Sequence, residues 1–170
     1  MRIFGIAGFK NSGKTSLVCD LVAEISRRGF RVATVKHAHH AFDIDHQGKD
    51  SYLHRQAGAR EVLVVSSRRW AHITELCDDE PEPPLDALLG HLGEVDLVLV
   101  EGYKHGDHPK LEVRRAVLDH PELAGHEPGI RAIVSDGSIE HAPVPVLERA
   151  DVSGIANFIL AEVGIDATQR

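Results

Sequence analysis

The amino-acid sequence predicts an α/β fold with a mainly parallel β-sheet flanked by helices. Short continuous apolar runs, typical of buried strands, alternate with segments whose apolar residues recur at helical spacing, which indicates a parallel sheet covered on both sides. The predicted strands are 2–7, 31–36, 61–66, 95–101, 111–115, 130–135 and 144–147, and 70–76 is either a strand paired with 61–66 or a turn of helix. The predicted helices are one that follows the first strand and ends at Gly29, and then 50–57, 85–92 and 151–163.

A glycine-rich loop between the first strand and the first helix carries the strongest functional signal. Residues 8–15 read Gly-Phe-Lys-Asn-Ser-Gly-Lys-Thr and fit the phosphate-loop pattern G-x-x-x-x-G-K-[ST] at every fixed position. The glycines let successive N–H groups turn toward phosphate, and the following helix adds its positive dipole end. We expect Lys14 to reach the outer phosphates as a catalytic residue and Thr15 to bind magnesium. The strand and helix on either side disfavour an ordinary glycine-rich turn, so the predicted fold class is a P-loop NTPase-like three-layer sandwich.

The length and composition suit one globular domain that spans residues 1–170. Hydrophobic residues make up 42% and charged residues 26% of the 170 residues, and the formal net charge of −7 argues against a general nucleic-acid-binding surface. The two cysteines have neither metal-binding nor disulfide spacing. No apolar stretch approaches the length of a membrane span, and the first apolar run passes directly into the phosphate loop. We therefore expect no membrane association and a cytoplasmic location.

A carboxylate at the end of strand 95–101 marks a second candidate site. In nucleotide hydrolases, a second strand ends in an acid that holds magnesium or its water. Glu101 ends this strand, and Gly102 after it permits an abrupt turn. Ligands bind beyond the carboxyl ends of the strands in open α/β sheets, a condition that Glu101 meets and Asp96, at the strand start, does not. Glu101 is therefore predicted to be catalytic and magnesium-binding, and a solvated acid at a strand exit is the alternative.

A polar segment after the second strand is rich in histidine and aspartate. Residues 36–50 contain His37, His39, His40 and His46 together with Asp43, Asp45 and Asp50. Their spacing does not match a helical zinc site and no cysteine joins them, so a dedicated transition-metal site is the less favoured interpretation. We favour a polar loop that contributes Asp43 or Asp45 to a magnesium–nucleotide site. A surface loop without chemistry is the other alternative.

Three segments together resemble the MobB family, the adapter proteins of molybdopterin guanine dinucleotide biosynthesis. They are the phosphate loop, the segment 35–51 with its Val-Lys-His-Ala-His-His and Asp-Ile-Asp sequences, and residues 99–104, Leu-Val-Glu-Gly-Tyr-Lys. The phosphate loop is shared with many families, whereas the other two segments are much more specific. The resemblance covers about the first 115 residues in order.

The resemblance implies a homodimeric GTP-binding adapter with Mg²⁺ as cofactor and weak GTPase activity. It also implies partnership with a MobA-type guanylyltransferase, which joins GMP from GTP to molybdopterin. Residues 11–16 carry over by position as nucleotide-binding residues, so the predicted binding set is Gly8, Asn11, Ser12, Gly13, Lys14, Thr15 and Ser16. Asp45 and Glu101 carry over as the acids on the magnesium side, which with Thr15 gives the predicted metal set.

Two departures limit what the resemblance predicts. Guanine-specific GTPases recognise the base with an N-K-x-D motif, but this chain has only Asn11 and Asn157, and neither begins that motif. Asp136, directly after strand 130–135, is the candidate for reading the base. Some dimeric relatives carry a lysine directly after the first loop glycine, where this chain has Phe9 followed by Lys10.

Three functions fit these features, and the nucleotide-binding adapter is favoured. No arginine finger or water-positioning glutamine can be assigned, so turnover should be slow. A small P-loop metabolite kinase would need an acceptor pocket and a closing lid, for which the acidic, proline-rich segment 78–84 is a poor candidate. A metal-insertion chaperone GTPase would use the histidine-rich loop.

Overall fold

The computed structural model describes residues 1–38, 42–77 and 79–166. Its strands are β1 Ile3–Ala7, β2 Val32–Lys36, β3 Glu61–Val65, β4 Trp70–Thr74, β5 Leu97–Glu101, β6 Lys110–Arg114, β7 Ile130–Ser135 and β8 Val146–Glu148. Its helices are α1 Lys14–Arg27, α2 Asp50–Gln56, α3 Leu85–Leu89 and α4 Val152–Glu162. The chain forms two compact units, Met1–Ala38 with Leu92–Arg170 and His39–His91. The prediction of one domain over 1–170 stays a prediction.

Six strands of the first unit form a parallel sheet in the order β2-β5-β1-β6-β7-β8. The strand that leads into the phosphate loop, β1, therefore lies in the middle of the sheet between β5 and β6. Because all six strands point the same way, the segments that follow them meet at one edge, where ligands of such sheets bind. The predicted α/β fold with a mainly parallel sheet flanked by helices is confirmed.

Apolar side chains on one face of this sheet pack against α1 and α4. On α1, Leu17, Leu21 and Ile25 are fully buried, and on α4 Ile155 and Ile159 join the same core as the inward side chains of β1, β5, β6 and β7. Burying an aliphatic side chain of this size stabilises the fold by about 1.5–3 kcal/mol relative to leaving it exposed. This packing fixes the start of α1 against the end of β1.

Glycines with left-handed backbone geometry stand at both ends of α1. Gly13, with φ 93°, precedes its first residue, and Gly29, with φ 90°, follows its last turn. Glycine adopts this geometry without the steric penalty that a side chain would bring. The predicted end of the first helix at Gly29 is confirmed.

The second unit contains the antiparallel hairpin β3–β4 together with α2 and α3. Glu61 pairs with Thr74 and Val65 with Trp70, so the segment 70–76 is a strand rather than a turn of helix. Helix α3 ends at Leu89, before the predicted end at 92, and its C-cap is Gly90, a poor helix former.

The last strand begins later than the sequence predicts. Strand β8 spans Val146–Glu148 instead of 144–147, since Pro145 has no N–H to donate to the ladder. Its carbonyl oxygen instead accepts the Ile133 N–H at 2.9 Å and leads into the strand. Within the described ranges, none of the helices combines the length and the apolarity that crossing a membrane requires.

The middle of β1 leaves no room for a side chain at Gly5. A Cβ atom there would lie 2.8 Å from Cβ of Lys110 and 2.6 Å from Nε2 of His108. We expect Gly5→Ala to lower the free energy of unfolding by about 1–3 kcal/mol through overpacking, measured by urea denaturation. Gly93→Ala is the matched control, because nothing lies within 4 Å of its Cβ position. Equal stability of the two variants would contradict this crowding.

Candidate functional site

The phosphate loop connects β1 to α1 through a backbone that only certain residues tolerate. Gly8 has φ 142°, Asn11 has φ 65° and Gly13 has φ 93°. A Cβ atom on Gly8 would lie 2.6 Å from the carbonyl oxygen of Val113 and 2.8 Å from Oγ of Ser12. The first glycine of the motif is therefore required by a close approach to β6 as well as by its own conformation.

Lys14 folds back over this loop. Its Nζ donates a hydrogen bond to the carbonyl oxygen of Phe9 at 2.7 Å. Burial lowers the pKa of Lys14 below the ordinary lysine value, and the charges of Lys104 and Lys36 lower it further, while the carboxylate of Glu101 opposes the shift. The ammonium group thus sits among other charged groups at the mouth of the loop.

The hydroxyl of Ser12 is a buried donor within the loop. Ser12 is 3% exposed, and its Oγ has no hydrogen-bond partner among the described residues. A buried polar group without a partner costs free energy, so such a group favours a ligand that can satisfy it. An anionic oxygen, the kind of group that a phosphate carries, fits this donor and the left-handed loop around it.

Thr15 and Glu101, two predicted magnesium ligands, meet in the first unit. Oγ1 of Thr15 donates to Oε1 of Glu101 at 2.9 Å, and Nζ of Lys36 lies 3.7 Å from the same oxygen. The turn that Gly102 was predicted to permit is present, with φ 98°. Hydroxyl and carboxylate oxygens are ligands that magnesium prefers, so this pair fits the ion chemically. The magnesium role of both residues stays a prediction.

Asp45, the third predicted magnesium ligand, belongs to the second unit. Its carboxylate accepts hydrogen bonds from Oγ of Ser51 at 2.8 Å, from its neighbour's N–H at 2.9 Å and from Nε of Arg55 at 3.4 Å. Partial burial opposes ionisation of Asp45, but these hydrogen bonds outweigh it and hold the pKa of its carboxyl below the ordinary value. Arg55 also pairs with Asp43 at 2.9 Å and with Glu75 at 2.5 Å. The magnesium role of Asp45 stays a prediction.

The histidine-rich loop is described only in part. His39 and His40 lie outside the described residues, whereas the ring of His37 packs against Tyr103 with centroids 4.8 Å apart. Across residues 1–38, 42–77 and 79–166, no three or more His, Cys, Asp or Glu side chains gather as a metal site would require. The hypothesis of a transition-metal site stays without support from this part of the chain.

Two cavities flank the start of α1. One, of about 590 Å³, is lined by five of the predicted binding residues and two others: Asn11, Gly13, Lys14, Thr15, Ser16, Arg115 and Leu118. The second, of about 370 Å³, is lined by residues of the loop and of the β6, β7 and β8 ends: Ser12, Gly13, Ser16, Arg114, Arg115, Asp136 and Arg149. Both cavities open at the carboxyl edge of the sheet. Sequence reasoning did not single out Arg149, although its place directly after β8 would have indicated it.

Asp136 is held in an ionised and oriented form at the smaller cavity. One carboxylate oxygen accepts the Ala116 N–H at 2.7 Å, and Nε of Arg115 lies 3.5 Å from the other oxygen. The Ala116 N–H and the guanidinium of Arg115 hold the pKa of this carboxyl below its ordinary value. The side chain is 38% exposed, so it can meet a ligand in the cavity.

Comparison with known proteins places this chain in a family. The model of MobB, described as molybdopterin guanine dinucleotide synthesis protein B, matches residues 3–136. The chain belongs to the MobB family. It is 37% identical over 161 residues to the molybdopterin-guanine dinucleotide biosynthesis adapter protein of Escherichia coli. This match covers 93% of this chain and 91% of that relative. Identity to the adapter protein of Haemophilus influenzae is 38% over 122 residues, 70% of this chain and 66% of the relative.

A solved structure of the MobB family has the same fold. The crystal structure of the MobB homologue from Bacillus stearothermophilus superposes with a TM-score of 0.73 at 30% identity, and the match covers 96% of this chain and 99% of that one. The resemblance predicted from the phosphate loop and from segments 35–51 and 99–104 is thus confirmed at the level of the family.

The charges around Lys14 in this MobB-family chain predict how its side chain titrates. We expect its pKa to lie below the ordinary lysine value in nucleotide-free protein, to rise in Lys104→Gln and to fall further in Glu101→Gln, because those groups repel and attract the ammonium. Side-chain ¹³C NMR of Lys14 over a pH titration measures the midpoint. A higher midpoint in Glu101→Gln would contradict the assigned interactions.

Proposed function

We propose that this MobB-family chain is a GTP-binding adapter in molybdopterin guanine dinucleotide biosynthesis. It would bind GTP with magnesium, hydrolyse it slowly and assist a MobA-type guanylyltransferase that acts on molybdopterin. The observation that carries this proposal is the phosphate loop at the centre of the parallel sheet, with Thr15 hydrogen-bonded to the acid at the end of the neighbouring strand. The names of the E. coli and H. influenzae relatives support the adapter role.

Nucleotide binding is supported by the donors that surround the loop. The N-terminus of α1 and the left-handed residues at 8, 11 and 13 form a backbone suited to phosphate, and Ser12 adds a buried hydroxyl. Lys14 supplies a partly desolvated ammonium group that an anion would stabilise. Binding of phosphate would therefore offset the free-energy cost of the Ser12 hydroxyl, which has no partner in the described part of the chain, and of the partly desolvated Lys14 ammonium group.

Magnesium would be held by Thr15 and Glu101, with Asp45 as the further predicted ligand. The ion supplies positive charge that neutralises phosphate oxygens during hydrolysis. Glu101 is 9% exposed, which strengthens its interaction with a cation relative to a solvated acid. Lys14 would balance the charge of the phosphate that is transferred.

Slow hydrolysis fits the side chains of the two cavities. No glutamine lines either cavity in the described part of the chain. The three arginines of the smaller cavity are each engaged by a carboxylate: Arg114 by Glu122, Arg115 by Asp136 and Arg149 by Asp20. None is set up as a free arginine finger, so hydrolysis would lack the group that accelerates efficient GTPases.

Guanine preference would come from Asp136. A carboxylate accepts hydrogen bonds but does not donate them. Guanine offers two adjacent N–H donors on its Watson–Crick edge, whereas adenine offers one donor beside an acceptor, so an ionised Asp136 favours guanine. The cavity lined by Asp136 is also lined by Gly13 of the phosphate loop and Ser16 of α1, which supports a base and a phosphate bound side by side.

An exposed apolar surface on the β3–β4 hairpin supports an interaction with another protein chain. The β3–β4 hairpin exposes Leu63, Val65 and Trp70 at 68%, 80% and 64% of their surface, and exposed apolar patches of this kind mark interaction sites. This supports contact with a second copy of the chain or with the transferase. We also propose that the protein carries out this adapter role in the cytoplasm.

Lys14→Ala should abolish GTP binding, because it removes the loop's own ammonium group. Isothermal titration calorimetry with GTP and Mg²⁺ measures the affinity, and circular dichroism checks that the fold persists. Arg27→Gln, which removes a positive charge at the far end of α1, is the control. Retained affinity in a folded Lys14→Ala would contradict the loop assignment.

The adapter role itself is tested with the transferase present. We expect the chain to raise the rate of GMP transfer to molybdopterin, and Lys14→Ala to lose that effect. Strong phosphate transfer to a small acceptor without the transferase would instead favour a kinase. Tight stoichiometric zinc or nickel binding, lost in His37, His39 and His40 variants, would favour a metal-insertion chaperone.

Asp136→Ala should reduce the preference for GTP over ATP about tenfold, since hydrogen bonds to a charged group contribute roughly 1.5–3 kcal/mol. The ratio of the two dissociation constants, measured at one magnesium concentration, gives the effect. Asp119→Ala, at an exposed acid outside the lining of either cavity, controls for the change in charge. An unchanged ratio in Asp136→Ala would exclude this residue as the reader of the base.

A further inference from the structure

Three lysines converge on the phosphate loop, and we call Lys14, Lys36 and Lys104 the lysine cluster. Lys14 donates to the carbonyl of Phe9 at 2.7 Å, and Nζ of Lys104 lies 4.0 Å from the centroid of the Phe9 ring. One loop residue thus contacts two ammonium groups. Lys36 ends β2, pairs in register with Glu101 and places its Nζ 3.7 Å from Oε1 of that acid.

The lysine cluster carries an excess of positive charge in a protein of net charge −7. The charges of Lys36 and Lys104 both act unfavourably on Lys14, while Glu101 is the carboxylate that opposes them. Three ammonium groups against one carboxylate cost free energy unless an anion offsets them. The cation–π contact with Phe9 holds Lys104 at the loop despite that repulsion.

The order of the strands gives a bound nucleotide a direction. From the central β1, the sheet continues through β6 to β7 and β8 on one side, where Asp136 and Arg149 line the smaller cavity. On the other side it continues through β5 to β2, where Lys104 and Lys36 follow or end the strands. A base at Asp136 therefore directs the phosphate chain across the loop toward the lysine cluster.

We propose that Lys36 and Lys104 form a subsite for the terminal phosphate of a nucleoside triphosphate, so that the protein distinguishes GTP from GDP. This subsite rests on the proposed nucleotide binding and adds two ammonium groups from outside the phosphate-loop motif to the recognition of the terminal phosphate. The third phosphate brings the additional negative charge that two further ammonium groups match. A diphosphate ends at the groups of the loop itself.

The position of Lys36 also connects this subsite to magnesium. Thr15 and Lys36 both engage Oε1 of Glu101, the oxygen that a magnesium ion would compete for. An ion at Glu101 would release the Lys36 ammonium from that oxygen and leave it to the terminal phosphate. Lys36 therefore balances the buried acid when no cation does so.

Binding of GTP and GDP to wild-type, Lys104→Gln and Lys36→Gln proteins tests the subsite, by isothermal titration calorimetry at saturating Mg²⁺. We expect each variant to weaken GTP binding about tenfold, within the range for a charge-assisted contact that is partly exposed, and to leave GDP binding within about twofold. Lys104→Arg, which keeps the positive charge, should restore most of the GTP affinity. The readout is the ratio of the GTP and GDP dissociation constants.

Arg27→Gln is the matched control, since it removes one positive charge about 20 Å along α1 from Lys14 and should leave the ratio unchanged. If wild type binds both nucleotides but the lysine variants keep its ratio, or lose GTP and GDP equally, the terminal-phosphate subsite is wrong while nucleotide binding stands. If wild type binds neither nucleotide, the proposed function fails and the subsite fails with it.

Discussion

The contact between Thr15 and Glu101 depends on the parallel pairing of β1 with β5, and the candidate site is built around it. Ile6 of β1 pairs with Glu101 of β5, so the acid ends its strand beside the start of the phosphate loop. The first turn of α1 then brings Oγ1 of Thr15 to 2.9 Å from the carboxylate. A register slip of one residue would turn Glu101 to the opposite face of the sheet and separate the two groups.

The same strand order distributes charge on either side of the loop. Basic side chains end β2 and follow β5 on one side, while Asp136 and arginines held in ion pairs end or follow β6, β7 and β8 on the other. An elongated, polar ligand with an anionic end and a hydrogen-bonding end suits such a layout. Because α1 packs against the sheet in one hydrophobic core, it holds the loop between these two regions, and the sheet itself positions the residues of the candidate site.

Much of the fold and of the candidate site could be predicted from the sequence, because these features depend on local sequence patterns. The loop motif, the helix that ends at Gly29 and the acid at the end of β5 each follow from spacing along a short segment. The sequence alone does not decide whether 70–76 pairs with 61–66, since a seven-residue segment suits a strand or a turn of helix until its partner is known. Arg149 was missed although it lies just after the predicted strand 144–147, because the sequence alone does not show where that strand lies in the sheet relative to the phosphate loop.

The fold class, the family and the phosphate loop could be predicted from the amino-acid sequence, since glycine conformations and apolar periodicity are local properties. Which charged groups come into contact depends instead on the three-dimensional arrangement of the strands. This arrangement brought Lys36 and Lys104 to the loop, placed Asp136 against the Ala116 N–H, and left Ser12 buried without a partner among the described residues. Electrostatic interactions depend on distance in space, and strand order, which no local pattern encodes, sets those distances.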